Sequence, residues 1–163
     1  MKIKLFYLFL VVSLLGFSQK TISKLLKQHN SERIPYISVH ELAMPKTKVI
    51  LLDAREINEF NVSHLQNAIC VGYNDFDVTT ITENVPDKSS KIVVYCSLGI
   101  RSEDVAEHLK KSGYTNVFNL YGGIFEWKNN DFPVYNKHGE TEEVHAFSKA
   151  WSKWLLKGNK IYD

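Results

Sequence analysis

Five short apolar stretches, separated by polar connections, dominate the pattern of this chain. They cover residues 36–39, 49–53, 68–71, 91–95 and 116–120. In the fourth stretch Ile92, Val93 and Val94 are consecutive and β-branched, which is typical of a strand buried on both faces of a parallel sheet. Because helix-like or turn-like segments join the stretches, the pattern predicts an α/β fold with a five-stranded, mainly parallel sheet flanked by helices.

An amphipathic helix follows the fourth stretch almost at once. Beginning at Ser102, the apolar residues Val105, Ala106 and Leu109 fall on one side, and charged residues fall on the other. Acids occupy the first turn and lysines the last, and Gly113 stands where a C-terminal capping glycine belongs. The chain therefore passes from a buried strand directly to the N-terminus of a helix.

The N-terminal residues carry two further patterns. A short basic start, an apolar run and small residues ending at Ser18 indicate a secretory signal peptide over residues 1–18, and hence a periplasmic or secreted protein. A buried N-terminal strand is the alternative. The run is shorter than the ~20 residues that span a bilayer, so no stable membrane anchor is expected after cleavage. The segment 19–35 is expected to hold a short amphipathic helix lying on the domain, with apolar positions at Ile22, Leu25 and Leu26.

Residues 135–163 form a C-terminal extension with its own amphipathic pattern. Thr141 is suited to cap a helix, and two glutamates follow it. A helix predicted after this cap would carry an apolar stripe that must be buried. Docking on the chain's own domain is favoured; a groove on a partner protein or a membrane surface is the alternative. The predicted helix carries an apolar, Trp-rich stripe formed by Val144, Phe147, Trp151, Trp154 and Leu155.

Composition is that of one ordinary globular domain rather than a disordered chain, with 163 residues, 44% hydrophobic and 23% charged. Removal of residues 1–18 would take away two lysines and leave 18 basic against 18 acidic residues. No binding to nucleic acid or to a charged membrane surface is therefore expected. The six histidines show no close metal-ligand spacing, so no metal is predicted.

Cys96 is the candidate nucleophile because of where the pattern puts it. It lies between the C-terminal end of a strand and the N-terminus of a helix, where backbone N–H groups lack partners and the helix dipole favours negative charge. Cys96 and Arg101 bracket four residues. A loop that wraps back over the sulfur would bring its N–H groups and the guanidinium towards one small anionic or polarised ligand.

This loop resembles the active-site loop of rhodanese-like sulfurtransferases. Bacterial single-domain members often read C-x-x-G-x-R-S, as Cys96, Gly99, Arg101 and Ser102 do here. Four ordered motifs across residues 36–134 make the chain similar to this family, and the resemblance implies a rhodanese-like domain over those residues. The other three motifs are D-x-R-E with H-[IL]-x-x-A over residues 53–68, G-Y-x-x-V over residues 113–117, and L-x-G-G-x-x-x-W over residues 120–127.

The resemblance implies a sulfurtransferase that carries sulfur as a persulfide on Cys96. A small sulfur donor would load the cysteine, a thiol or cyanide would accept the sulfur, and no cofactor is needed. Asp53 and Arg55 are expected to support the site: Asp53 as an acceptor for loop N–H groups, and Arg55 as the partner of a local carboxylate. Residues expected to bind substrate are Ser97, Leu98, Gly99, Ile100, Arg101 and Ser102.

Two other residues with reactive side chains are expected to be structural. His64 resembles a family position in the turn after a short helix, and Cys70 lies in an apolar strand-like run. Export would invite a disulfide between Cys70 and Cys96. The sheet order of the family would instead place the Asp53 strand between them, ~10 Å apart. A disulfide needs Cα atoms within about 7 Å, so Cys96 is expected to be free.

Two alternative functions stay open. Phosphatases and arsenate reductases related to the rhodaneses have one residue more between cysteine and arginine, which fits a tetrahedral oxyanion, whereas the four residues here favour sulfur. In the second alternative the loop binds a sulfur ligand or a partner protein without catalysis.

Overall fold

A computed structural model describes residues 22–163 of the chain. The expected signal peptide over residues 1–18 and the start of the expected N-terminal helix lie outside the described residues. The chain divides into two units, residues 1–32 and residues 33–163. In the first unit residues 22–29 are helical (α1); Ile22 and Leu26 are buried, and Leu25 is partly buried.

The second unit contains a five-stranded sheet in which every pair of neighbouring strands is parallel. The order of the strands is β1-β5-β4-β2-β3, so β4 lies at the centre, and all four of its residues are buried. The predicted α/β fold with a five-stranded parallel sheet is confirmed. The strands are β1 (Tyr36–Ile37), β2 (Ile50–Asp53), β3 (Ile69–Cys70), β4 (Ile92–Tyr95) and β5 (Val117–Leu120).

Helices connect the strands and cover the sheet. The longest helix within residues 33–163, α5, has eleven residues and packs on β4 and β5, with its apolar side buried. Gly113, just beyond its end, has φ +94°, as a C-terminal capping glycine requires. No helix within residues 22–163 is both long enough and apolar enough to cross a membrane. The helices are α2 (Val39–Leu42), α3 (Ile57–Val62), α4 (Val78–Asn84), α5 (Arg101–Lys111) and α6 (Gly123–Asn129).

The prediction of a C-terminal helix is wrong. The extension instead forms strands β6 (Val134–Asn136) and β7 (Gly139–Thr141), then β8 (Glu143–His145), a 3₁₀ turn at Ser152–Trp154, and β9 (Asn159–Ile161). Strand β8 pairs in parallel with β9, which is remote in sequence, so the backbone forms inter-strand hydrogen bonds instead of the local hydrogen bonds of a helix. The apolar residues that have helical spacing therefore belong to different elements, because tertiary pairing overrides a weak local preference.

The extension is nevertheless docked on its own unit. Strand β8 packs against α3, and Val144, Ala146 and Leu155 are buried. Leu156, the next residue, is 64% exposed. The apolar residues of the extension are thus divided between a buried set and a set that faces outward.

Replacement of Leu155 by alanine should lower the free energy of unfolding by ~2–5 kcal/mol, because it leaves a cavity under the extension. Leu156→Ala is the matched control and should change stability by less than about 0.5 kcal/mol. Urea denaturation of the two variants measures both values. Equal effects would contradict the observed packing of the extension.

Candidate active site

The loop after β4 curls back over the sulfur of Cys96. This sulfur accepts a hydrogen bond from the Gly99 N–H at 3.1 Å and lies 3.5 Å from the Ser102 hydroxyl oxygen. Gly99 has φ +104°, a conformation that favours glycine, and this explains why the motif has glycine at this position. Cys96 itself is only 2% exposed. The predicted wrapping of the loop is therefore present in the structure.

The N-terminus of α6 forms backbone hydrogen bonds to this loop. The N–H groups of Ile124 and Phe125 donate to the carbonyl oxygens of Cys96 at 2.9 Å and of Ser97 at 3.2 Å. A Cβ atom on Gly123 would lie only 2.2 Å from the Cys96 oxygen. The second glycine of the Gly122-Gly123 pair is therefore needed for the close approach of two backbones.

Asn119 ties the loop to β5. Its side-chain nitrogen donates to the Gly99 carbonyl oxygen at 2.8 Å and to a Glu103 carboxylate oxygen at 3.0 Å. Its side-chain oxygen accepts from the Ser102 hydroxyl at 2.8 Å. Since a hydroxyl has one proton, Ser102 donates either to Asn119 or to the sulfur of Cys96 at any moment. The sequence interpretation missed Asn119, whose signal is an amide inside an otherwise apolar strand.

Arg101 forms a two-point ion pair with Glu59. Its Nη1 and Nη2 atoms lie 2.7 Å and 2.8 Å from the two carboxylate oxygens, and Nη2 also donates to the Ser97 hydroxyl at 3.2 Å. Burial alone would raise the pKa of Glu59, but the hydrogen bond and charge of Arg101 outweigh it and lower that pKa. The pKa of Arg101 is raised despite burial by its hydrogen bond to Glu59 and by charge interactions with Cys96 and Glu59. Arg101 stays a predicted binding residue, but its charge is already paired.

His145 brings the C-terminal extension into this network. Its Nδ1 atom accepts from the Phe147 N–H at 3.2 Å and lies 3.9 Å from a Glu59 oxygen. Its Nε2 atom lies 3.3 Å from an Asp163 carboxylate oxygen. His145 is buried, with 2% of the residue exposed. Sequence analysis missed both Glu59 and His145 as site residues, because their contacts join distant parts of the chain.

Asp53 and Arg55 form a buried pair at the end of β2. The Asp53 carboxylate accepts from Arg55 Nε at 2.9 Å, from Nη2 at 2.6 Å and from the Arg55 backbone N–H at 3.0 Å. Burial alone would lower the pKa of Arg55, but the charge and hydrogen bonds of Asp53 outweigh it and raise that pKa. Arg55 thus pairs with a local carboxylate as expected. The Asp53 carboxylate thus bonds to Arg55 rather than to N–H groups of the Cys96 loop, and the role expected of Asp53 is wrong in that respect, because the buried guanidinium beside it takes up both carboxylate oxygens.

His64 and Cys70 lie away from the Cys96 loop. The His64 ring stacks on Phe60 at 3.9 Å, and its backbone pairs with Tyr135, which agrees with the structural position expected of it. The Cys70 thiol is partly buried and contacts the Arg55 carbonyl oxygen at 3.6 Å, and burial raises its pKa. Both cysteines are free, and β2 separates their strands as expected.

A half-open pocket of about 100 Å³ lies against Cys96. It brings together four of the predicted binding residues and two aromatic residues of the extension. Gly99 and Ser102 instead contact the sulfur itself. Residues 22–163 contain no cluster of three or more histidine, cysteine or acidic side chains suited to a metal ion. The lining residues are Cys96, Ser97, Leu98, Ile100, Arg101, Phe147 and Trp151.

The model of the rhodanese-like domain family matches residues 38–130, more than half of the chain. The chain therefore belongs to the family of rhodanese-like domain proteins, as its motifs indicate. Solved structures agree on the fold. A rhodanese-related protein from Thermoplasma volcanium has a TM-score of 0.52 with 25% identity, over 61% of this chain and 96% of that one. A thiosulfate sulfurtransferase from Pseudomonas aeruginosa has a TM-score of 0.59 with 21% identity, over 85% of this chain and 26% of that one.

Two kinds of curated relatives are similar in sequence. The thiosulfate sulfurtransferase GlpE of Coxiella burnetii is 29% identical over 97 residues, which cover 60% of this chain and 87% of that protein. The tRNA uridine(34) hydroxylase of the Aster yellows witches'-broom phytoplasma is 35% identical over 105 residues, covering 63% of this chain and 32% of that protein. The match thus spans about a third of the length of the hydroxylases.

Gly123→Ala should lower the stability of the protein, and disturb the Cys96 loop, by more than the cost of a left-handed alanine alone. A Cβ at this position meets the Cys96 and Ser97 carbonyl groups, which adds ~1–3 kcal/mol of overpacking to the ~1–2 kcal/mol for a left-handed alanine. Gly113→Ala is the control, since its φ is also positive but nothing lies within 4 Å of the new Cβ. Thermal unfolding and the rate of Cys96 alkylation measure the effect. Similar results for both variants would refute a steric role for Gly123.

The Glu59–Arg101 pair should make stability depend on acidity. Because the folded-state pKa of Glu59 is lowered, its carboxylate stabilises the folded state fully above the ordinary glutamate pKa of ~4.3. This stabilisation is lost as the pH falls through the lower, folded-state pKa. Glu59→Gln should cost ~1–3 kcal/mol at neutral pH and flatten the acid limb of the stability curve. Glu143→Gln, at an exposed site, is the control. Denaturation across the acid range tests this, and an acid limb unchanged in Glu59→Gln would speak against it.

Proposed function

We propose that this protein is an exported sulfurtransferase that carries sulfane sulfur on Cys96. The observation that carries the proposal is the hydrogen bond from the Gly99 N–H to the Cys96 sulfur at 3.1 Å, in a loop that opens to a pocket. A backbone donor at this distance favours a sulfur anion, which both the attacking thiolate and the persulfide carry. The similarity to thiosulfate sulfurtransferases supports the same chemistry.

The reaction has two steps through one covalent intermediate. The Cys96 thiolate attacks the outer sulfur of the donor and forms an S–S bond, while the bond from that sulfur to the rest of the donor breaks. The electron pair leaves with the donor remnant: sulfite from thiosulfate, a sulfinate from a thiosulfonate, or a thiolate from a persulfide. A thiol or cyanide then attacks the outer sulfur, and Cys96 departs as a thiolate.

The loop supplies the surroundings for both steps. The Gly99 N–H stabilises negative charge on sulfur, and the Ser102 hydroxyl lies 3.5 Å away, able to donate to it. Asn119 fixes the Gly99 carbonyl through its amide nitrogen, while its amide oxygen is the alternative acceptor for the single proton of the Ser102 hydroxyl. Other N–H groups between Ser97 and Ser102 are proposed to face the outer sulfur of the persulfide.

Export rests on the N-terminal pattern of residues 1–18, with its basic start, apolar run and small residues. In this proposal the mature protein acts in the periplasm or outside the cell. Its free Cys96 would there encounter oxidants, so turnover would need a thiol that keeps it reduced.

Intact mass of the purified protein, tagged at its C-terminus, tests the proposal. Incubation with a sulfur donor should add one sulfur to the wild type and to Cys70→Ser but none to Cys96→Ser, and a reductant should remove it. The same mass should show loss of residues 1–18. Cys70→Ser is the matched control, since its thiol lies outside the loop.

Two results would contradict the proposal. Turnover of an aryl phosphate through Cys96, with no gain of sulfur from any donor, would indicate a phosphatase. No covalent product at all, with Cys96 accessible to alkylation, would indicate a rhodanese-like module that only binds a ligand or partner.

A further inference from the structure

Two aromatic residues of the C-terminal extension complete the pocket at Cys96. Phe147 and Trp151 pack edge to face, with ring centroids 6.2 Å apart, and both line the pocket. The Phe147 ring also lies 4.8 Å from the guanidinium carbon of Arg101. Both aromatic residues lie beyond residues 38–130, which the family model matches. The outer wall of this pocket therefore comes from outside the family's domain.

The backbone holds Phe147 in a conformation that few residues adopt. Its φ is +63°, which is costly for a side chain of this size. A tight turn in which the Ser148 N–H donates to the Ala146 oxygen at 2.7 Å, and the bond from the Phe147 N–H to His145, keep it there. The ring is nonetheless 45% exposed, so burial of the ring does not explain the strain. The turn instead places an apolar ring against the pocket.

The charge around the pocket disfavours small dianions. Arg101 is the one formally charged side chain among the described residues that line it. Glu59 occupies the edge of that guanidinium, and the Phe147 ring covers its face. A neighbouring cleft of about 410 Å³, which shares Arg101 and Phe147, is lined by Glu56, Glu59 and Asp163. An inorganic donor with two negative charges thus finds a paired cation and several nearby acids.

We propose that the pocket binds the apolar organic group of a sulfur donor, so that organic thiosulfonates or persulfides are used in preference to inorganic thiosulfate. This inference rests on the proposed sulfur transfer through Cys96. With a thiosulfonate, the Cys96 thiolate forms a bond to the outer sulfur, and the bond from that sulfur to the sulfonyl sulfur breaks. The electron pair leaves on the sulfinate. Phe147 and Trp151 are specificity-determining residues in this scheme, since they contact the organic group and not the reacting sulfur.

The test compares three donors on the full chain: thiosulfate, methanethiosulfonate and benzenethiosulfonate. The two thiosulfonates have the same charge and differ in apolar size. We expect kcat/KM to be highest for benzenethiosulfonate. Phe147→Ala and Trp151→Ala should each lower that value by ~10-fold or more, with little change for methanethiosulfonate, because an apolar group lost from a pocket has effects of this order.

Control variants separate a binding role from a structural one. Trp154→Ala removes an aromatic residue of the same extension that does not line the pocket, and it should leave all three values unchanged. Phe147→Leu should restore part of the benzenethiosulfonate activity. Thermal unfolding checks that each variant is folded. An equal loss with all three donors, or a wild type that prefers thiosulfate, would overturn the inference.

A binding measurement distinguishes failure of this inference from failure of sulfur transfer. Benzenesulfinate, the product, should change the tryptophan fluorescence of Cys96→Ser, and Trp151→Phe in that background should abolish the change. If no donor loads Cys96 but this change is seen, the apolar pocket stands and the sulfurtransferase proposal falls. If donors load Cys96 and neither aromatic residue affects selectivity or fluorescence, the inference is wrong.

Discussion

The site depends on the Cys96 loop, whose carbonyl groups accept hydrogen bonds from the N-terminus of α6. Backbone N–H groups at the start of α6 engage the carbonyl oxygens of Cys96 and Ser97, while the Gly99 N–H turns towards the sulfur. Because buried backbone groups must be paired, this division of partners fixes the orientation of the loop. It requires two backbones to approach more closely than any side chain at Gly123 allows. The strand, the loop and α6 therefore act as one unit.

A second constraint is the pairing of Arg101 with Glu59. An unpaired guanidinium that is largely buried beside the loop would be costly, and the carboxylate on α3 removes that cost. The same carboxylate lies near His145, so the pair also joins the loop to the extension. A positive charge that would attract an inorganic anion is thereby used to hold the structure together. In the proposed reaction, recognition of the donor is then left to the shape and polarity of the pocket wall.

Much of this arrangement was predictable from the sequence, and the parts that were not share one cause. The strand at Ile92–Tyr95 and the helix after it have local signals: consecutive β-branched residues, acids in the first turn and a capping glycine. Glu59 contacts Arg101 across 42 positions of sequence, and β8 pairs with a strand beyond an intervening turn. The pattern of apolar and polar residues within a short stretch of sequence cannot predict contacts between residues so far apart. The apparent helical stripe of the extension is the clearest case, since its residues are placed by remote pairing.

In the proposed scheme the extension decides which donors the loop selects. Within the matched domain the loop presents a sulfur, backbone donors and an arginine that is already paired with Glu59. The aromatic rings of Phe147 and Trp151 add apolar surface on one side of the sulfur. Apolar contact of this kind strengthens binding in proportion to the area removed from water, without a need for charge. If sulfur transfer proceeds through Cys96 as proposed, its selectivity can therefore be set by a segment outside the loop, while the chemistry at the sulfur stays that of the loop.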